Sequence, residues 1–98
     1  MIKKKPVRGS DRVSVTFSTP VGVEASTVHL VGDFNDWDER THPMKKRKDG
    51  SWSITVRLPQ GRAYQFRYLV DDERWMTDEA PDAYADNPYG SDNAVVKL

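Results

Sequence analysis

"MKKRKDGSWSITVRL", residues 44–58, carries the clearest conformational signal in the chain. Trp52, Ile54, Val56 and Leu58 alternate with Ser51, Ser53, Thr55 and Arg57, and a period of two sends the two sets to opposite faces of a pleated strand. Just upstream, Asp49 and Gly50 supply the positive φ angles that a tight turn needs, so the stretch predicts a β-hairpin. Trp52 is in phase with Ile54 and Val56 and therefore belongs to the buried face.

The same period recurs on both sides. In "RVSVTFS" Val13, Val15 and Phe17 alternate with Ser14 and Thr16, and "TVHLVG" predicts a strand over residues 27–31. "YQFRYLV" turns Tyr64, Phe66, Tyr68 and Val70 one way and Gln65, Arg67 and Leu69 the other, and "NAVVKL" reads as the last strand. "TPVGVEAS" and "PQGR" break the pattern with proline and glycine. No segment sustains a helical period of 3.6 residues. Short strands separated by turn signals predict an all-β fold, an antiparallel β-sandwich.

At 98 residues the chain has room for one core. Residues 1–10 mix lysine, proline, glycine and serine and predict a flexible N-terminal tail, which leaves residues 11–98 as a single domain. Residues 75–92 are rich in Asp, Pro, Asn and Gly, and they are too many for a hairpin turn. A long loop of that kind often carries function.

Positive and negative side chains balance at 15 each, so no net field concentrates nucleic acid or an anionic membrane around the molecule. The balance conceals an asymmetry. Asp71, Asp72, Glu73, Asp78, Glu79, Asp82, Asp86 and Asp92 face only Arg74 and Lys97 in the last part of the chain. The basic runs at residues 3–5 and 45–48 read as a solvated tail and turn, not a nucleic-acid surface. The absence of cysteine excludes a disulfide framework and a thiolate zinc site. No apolar run approaches the roughly 20 residues of a membrane span. "PVRGSDR" stands where a signal peptide would need its apolar segment. A soluble, cytoplasmic protein is expected, without membrane or nucleic-acid partners.

Catalysis is the weaker expectation. A glycosidase needs two carboxyl groups about 5–9.5 Å apart, one of them with a raised pKa. Asp33, Asp36, Asp38 and Glu39 lie on a solvated turn that works against such a shift. His29 and His42 stand in no pattern of a nucleophile and its base. Asp71, Asp72, Glu73 and Asp78 lack the spacing of a calcium loop, so neither metal nor cofactor is expected.

The stronger constellation combines aromatic and polar groups. A pyranose ring has flat C–H faces and hydroxyls at its edge, so its receptor needs exposed aromatic planes rimmed by amide, carboxylate or guanidinium groups. "GDFNDW", residues 32–37, ends a polar turn with Trp37, and "DDERW" brings Trp75. Arg67 offers a planar fork of donors from the polar face of its strand. Phe34 is expected to anchor the turn from below, while Gly32 and Asn35 permit its tight path.

As a set, these motifs resemble a known family. G-x-F-N-x-W after a strand, D-G-x-W, L-P-x-G, Y-x-F-x-Y-x-V-D, then a tryptophan and a final D-N are similar to the glycogen-binding and isoamylase N-terminal carbohydrate-binding modules. Such modules occur in the β subunit of AMP-activated protein kinase and ahead of the catalytic barrel in branching and debranching enzymes. The resemblance runs from about Val13 to Leu98. It implies an immunoglobulin-like β-sandwich of the early-set type that binds α-1,4-linked glucan (glycogen, starch or maltooligosaccharides) without hydrolysing it. Position by position, it implies Trp37 and Trp75 as stacking rings, Arg67 as a hydrogen-bonding cation, and Asp92 or Asn93 as a polar contact to sugar hydroxyls. Tyr89, in "NPYG", is the candidate substitute for an apolar residue that reaches into the glucan in some members. The alternative is a protein-interaction module whose acidic residues 71–92 dock an enzyme of glycogen metabolism in trans, with little or no sugar binding.

Overall fold

Strands form where the period-two runs lie and pair so that their apolar faces meet. The structure, a computed structural model, describes residues 1–87 and 92–98. β1 (Ile2–Pro6), β2 (Arg12–Ser18), β3 (Val28–Gly32), β4 (Lys45–Lys46) and β5 (Trp52–Pro59) come first in the chain. They are followed by β6 (Ala63–Val70), β7 (Arg74–Met76), β8 (Ala83–Asp86) and β9 (Asp92–Lys97). All strand pairings among the described residues are antiparallel. One sheet has the order β1-β2-β5-β4 and the other β3-β6-β9-β8, with β7 added to β6 alongside β9. The two sheets face each other as an immunoglobulin-like β-sandwich.

The expected hairpin is present. Gly50 adopts φ 87°, and Arg47 N–H and Ser51 C=O close the turn at 2.7 Å. Asp49 Oδ1 accepts from the Ser51 amide and hydroxyl, which holds the Asp49 carboxyl below the usual carboxylate range. On the next strand pair Val15 sits opposite Val56 and Phe17 opposite Ile54. Phe17, Leu30, Phe66 and Tyr68 are fully buried between the sheets, and Phe17 meets Phe66 edge-on at 4.8 Å between centroids. Each ring so buried contributes about 1.5–3 kcal/mol. Trp52 is in this core, as its phase requires.

Two segments differ from the sequence expectation. Residues 1–10 were expected as a flexible tail, but Ile2–Pro6 form β1, with Ile2 opposite Phe17 and half-buried against the core. The edge of β2 otherwise presents a row of unpaired amides, and a lysine-rich strand covers it while discouraging further pairing. Residues 75–92 form no single loop, because the end of β7 and all of β8 fall in that span. Asp78 from the same span is buried, and the Tyr68 hydroxyl donates to it at 2.6 Å. The Met1 ammonium and the Ala80 amide complete its contacts. Burial first, and the Asp78 carboxylate second, push the Tyr68 phenol above its ordinary range.

Candidate functional site

The turn after β3 is shaped by its backbone. A Cβ on Gly32 would lie 2.5 Å from the Gln65 carbonyl oxygen and 2.9 Å from Phe66 Cβ, so only glycine fits where β3 crosses β6. Asn35 then ties the turn shut. Its Oδ1 accepts from the Gly32 amide at 3.1 Å, and its Nδ2 donates to the Leu30 carbonyl at 3.1 Å and to His42 Nδ1 at 2.9 Å. Because the two backbone partners fix which end of the amide is which, His42 Nδ1 must be the acceptor. Phe34 lies beneath, within 5.7 Å of the Phe17 centroid and 6.2 Å of that of Tyr64. The anchor and the tight path expected from the sequence are both in place.

Trp37 follows with φ 58°, and Asp36 before it with φ 55°. The left-handed region costs a bulky side chain about 1–3 kcal/mol, and such outliers cluster at functional sites. Trp37 is half-buried, its amide donates to the Gly32 carbonyl at 2.9 Å, and its Nε1 donates to Asp33 Oδ1 at 3.0 Å. The other oxygen of Asp33 accepts from the Gln65 amide at 2.8 Å. One carboxylate thus fastens the indole to β6.

Trp75 arrives on β7, directly opposite Leu69 of β6. Asp71 and Asp72, with φ 54° and 59°, occupy the left-handed positions of the tight turn between the two strands. The Thr27 and Ser26 amides, with Arg74 adding a smaller attraction, hold the Asp71 carboxyl below its ordinary range. The "VDDERW" segment is therefore a compact hairpin clamped to the chain before β3. Trp75 remains 42% exposed, and the Arg67 guanidinium lies over its ring at 5.6 Å from the centroid.

Register collects the remaining polar groups. Gln65, Arg67 and Leu69 alternate along the outer face of β6, with Val95 opposite Gln65 and Val31 opposite Arg67. Asn93 donates to Gln65 Oε1 at 3.0 Å and accepts from Asn87 Nδ2 at 3.2 Å. Asn93 is buried, so its amide is engaged within the protein and orients Gln65. Asp92 is exposed, and its carbonyl accepts from the Thr77 hydroxyl at 3.1 Å. Tyr89 lies outside the described residues.

Leu69, Val31 and Val95 are buried although they belong to this outer face and not to the central core. They form an aliphatic floor beneath the polar row. Leu69 shares its face with Gln65 and Arg67, as the alternation predicts, and is buried there. Gln65 was not singled out, and its alternation with Arg67 was the signal that could have found it. The row between Gln65 and Leu69 spans about 13 Å at roughly 3.3 Å per residue, with the Trp37 turn tied to one end and Trp75 standing at the other.

The carboxylates of the turn are disposed for structure. Asp38 is held below the usual range by the Arg40 amide and then by the Thr41 hydroxyl, the reverse of what a general acid requires. Among the described residues, no three His, Asp or Glu side chains converge as metal ligands. No helix among them is long and apolar enough to cross a membrane.

Comparison with known proteins agrees with this architecture. Over 68 residues the chain is 41% identical to the 1,4-alpha-glucan branching enzyme GlgB of Paramagnetospirillum magneticum, covering 67% of this chain and 8% of that protein. The enzyme of the same name from Lactobacillus acidophilus is 41% identical over 76 residues, 76% of this chain and 12% of its own length. That of Novosphingobium aromaticivorans is 48% identical over 50 residues, 49% of this chain and 7% of its own. The chain therefore spans only about a tenth of the relatives it matches. Residues 22–89, which hold both candidate tryptophans and Arg67, match the carbohydrate-binding module 48 (isoamylase N-terminal domain) family, and the chain belongs to that family.

Proposed function

We propose that this domain binds α-1,4-linked glucan without cleaving it, on the outer face of the second sheet. Trp75 is the principal stacking platform, Trp37 a second one, and Arg67 with Gln65 supplies hydrogen bonds to sugar hydroxyls between them. Asn93 acts by fixing Gln65, and exposed Asp92 lies at the rim. The observation that carries this reading is the Trp75–Arg67 pair, in which an exposed indole and a planar cation stand together above a buried aliphatic floor. That arrangement matches a sugar's apolar face and polar edge. The names of the relatives, enzymes that act on 1,4-alpha-glucan, support the same ligand.

Trp37 contributes with part of its surface only, since the ring is half-buried and its Nε1 is committed to Asp33. Isothermal titration with maltoheptaose tests the proposal. An open face of this kind is expected to bind with a dissociation constant between about 1 μM and 1 mM, or roughly 4–8 kcal/mol. No heat and no change in tryptophan fluorescence at millimolar sugar, in a folded sample, would refute it. Unchanged reducing-end content of glycogen incubated with the domain is the expected result of the parallel test for hydrolysis.

A further inference from the structure

We infer that the cleft at the β5–β6 turn is a second site, built for a phosphate monoester carried on a hexose. The cleft has a volume of about 530 Å³ and lies between the end of β5, the start of β6 and the turn that follows β3. That volume is within the range of small-molecule sites. Three arginines, Arg12, Arg57 and Arg62, are among the residues that line it.

Register brings two of them together. Arg12 stands opposite Pro59 and Arg57 opposite Ser14, so the two arginines are diagonal neighbours across the β2–β5 pair. Arg12 Nη1 lies 3.5 Å from the Arg57 carbonyl oxygen. Arg62 follows Gly61, whose φ of 81° closes the turn, and its guanidinium lies over the Tyr64 ring at 5.5 Å.

Charge in the cleft is unbalanced. The ion pairs among the described residues join Met1 to Asp78, Lys4 to Asp82, His29 to Asp72 and Arg74 to Asp71, and none reaches these three arginines. Asp33 is the carboxylate on the wall, and both of its oxygens already accept, from Trp37 Nε1 and from the Gln65 amide. His42, whose Nδ1 accepts from Asn35, carries its proton on Nε2 as a further donor. Three exposed arginines without an ion-pair partner among the described residues, beside one occupied carboxylate, favour an anion at this cleft.

Planar guanidinium forks match phosphate oxygens and hold them bidentately. A bare phosphate would leave most of the cleft to water at about 30 Å³ each. Phe34, Val56 and Tyr64 give the remaining wall apolar surface, which suits the C–H face of a sugar. The hexose part of the inference rests on membership of a carbohydrate-binding family. It does not depend on Trp37 or Trp75 binding glucan.

The test is calorimetric titration of the folded chain at low ionic strength with glucose 6-phosphate, glucose and inorganic phosphate. Saturable binding of glucose 6-phosphate at least about tenfold tighter than phosphate is expected, with none of glucose at the same concentration. The double variant Arg57→Gln/Arg62→Gln should weaken it about tenfold or more while leaving maltoheptaose titrations unaltered. Should that variant unfold by circular dichroism, Arg57→Lys keeps the charge without the fork and should still weaken binding about threefold. No binding up to roughly 10 mM, equal binding of inorganic phosphate, or indifference to the arginine changes would overturn the inference. Retention on phosphorylated starch before and after phosphatase treatment assigns the source. Arginine-dependent retention lost on dephosphorylation places the ester on a glucan, whereas arginine-dependent binding of glucose 6-phosphate with starch retention indifferent to Arg57→Gln/Arg62→Gln places it on a free sugar.

Discussion

A tryptophan in the left-handed region is an unusual residue to keep unless its ring is needed. Trp37 has φ 58°, a conformation that glycine adopts without penalty. Trp37→Gly therefore removes the ring and relieves the backbone together. Its thermal midpoint is expected to stay within a few degrees of the parent, while maltoheptaose affinity falls by about three- to tenfold. Unfolding of this variant would show that the ring is structural. Trp75→Ala, at an exposed position, should abolish detectable binding with little change in stability, as truncation of a central aromatic anchor commonly does. Gly32 behaves in the opposite way. A methyl group there would meet backbone at 2.5 Å, so Gly32→Ala should destabilise by about 1–3 kcal/mol and lower the melting temperature by roughly 4 °C or more.

At the scale of elements, the β6–β7 hairpin sets where Trp75 stands, and its clamp is a carboxylate. Asp71 accepts from the Ser26 and Thr27 amides and has its pKa lowered from 3.8. A carboxylate with a depressed folded-state pKa adds stability that is present above 3.8 and is lost as pH falls through the folded value. Asp71→Asn retains a residue tolerant of the left-handed turn. Its melting temperature should be lower than that of the parent at pH 7, and the gap should close in the acid range below about 3.8. A gap independent of pH would show that charge plays no part in the clamp. The same hairpin shows why some elements were illegible in the sequence. Strands β2, β5 and β6 announced themselves because each alternates over at least six residues, and β9 by a short apolar run, whereas β7 has three residues and β8 four, too few to establish a period. Strand β1 has a single apolar anchor, Ile2, followed by three lysines and a proline, and its reason to form is the edge of β2, a tertiary partner that local sequence cannot display.

For the whole molecule, the sandwich separates two surfaces, and ligand linkage makes that separation measurable. Arg67 was legible as a candidate site residue because it departs from the apolar phase of its strand, and Trp75 because it stands outside any clean alternation. The aliphatic floor under them was not, since Val31, Leu69 and Val95 become a layer only when β3, β6 and β9 lie side by side. A ligand that binds only the folded state adds RT ln(1 + [L]/Kd), which at ten times the dissociation constant is about 1.4 kcal/mol. For a domain of this size that corresponds to a rise of roughly 6–11 °C in melting temperature. Maltoheptaose at such a concentration should produce this shift in the parent and none in Trp75→Ala. Glucose 6-phosphate should raise the midpoint in a way that depends on Arg57 and Arg62. Because the two faces share only Asp33 and the turn it braces, the two shifts should add to within about 0.5 kcal/mol when both ligands are present. A combined shift well short of the sum would mean that occupancy of the cleft moves the Trp37 turn, coupling the sites through Asp33.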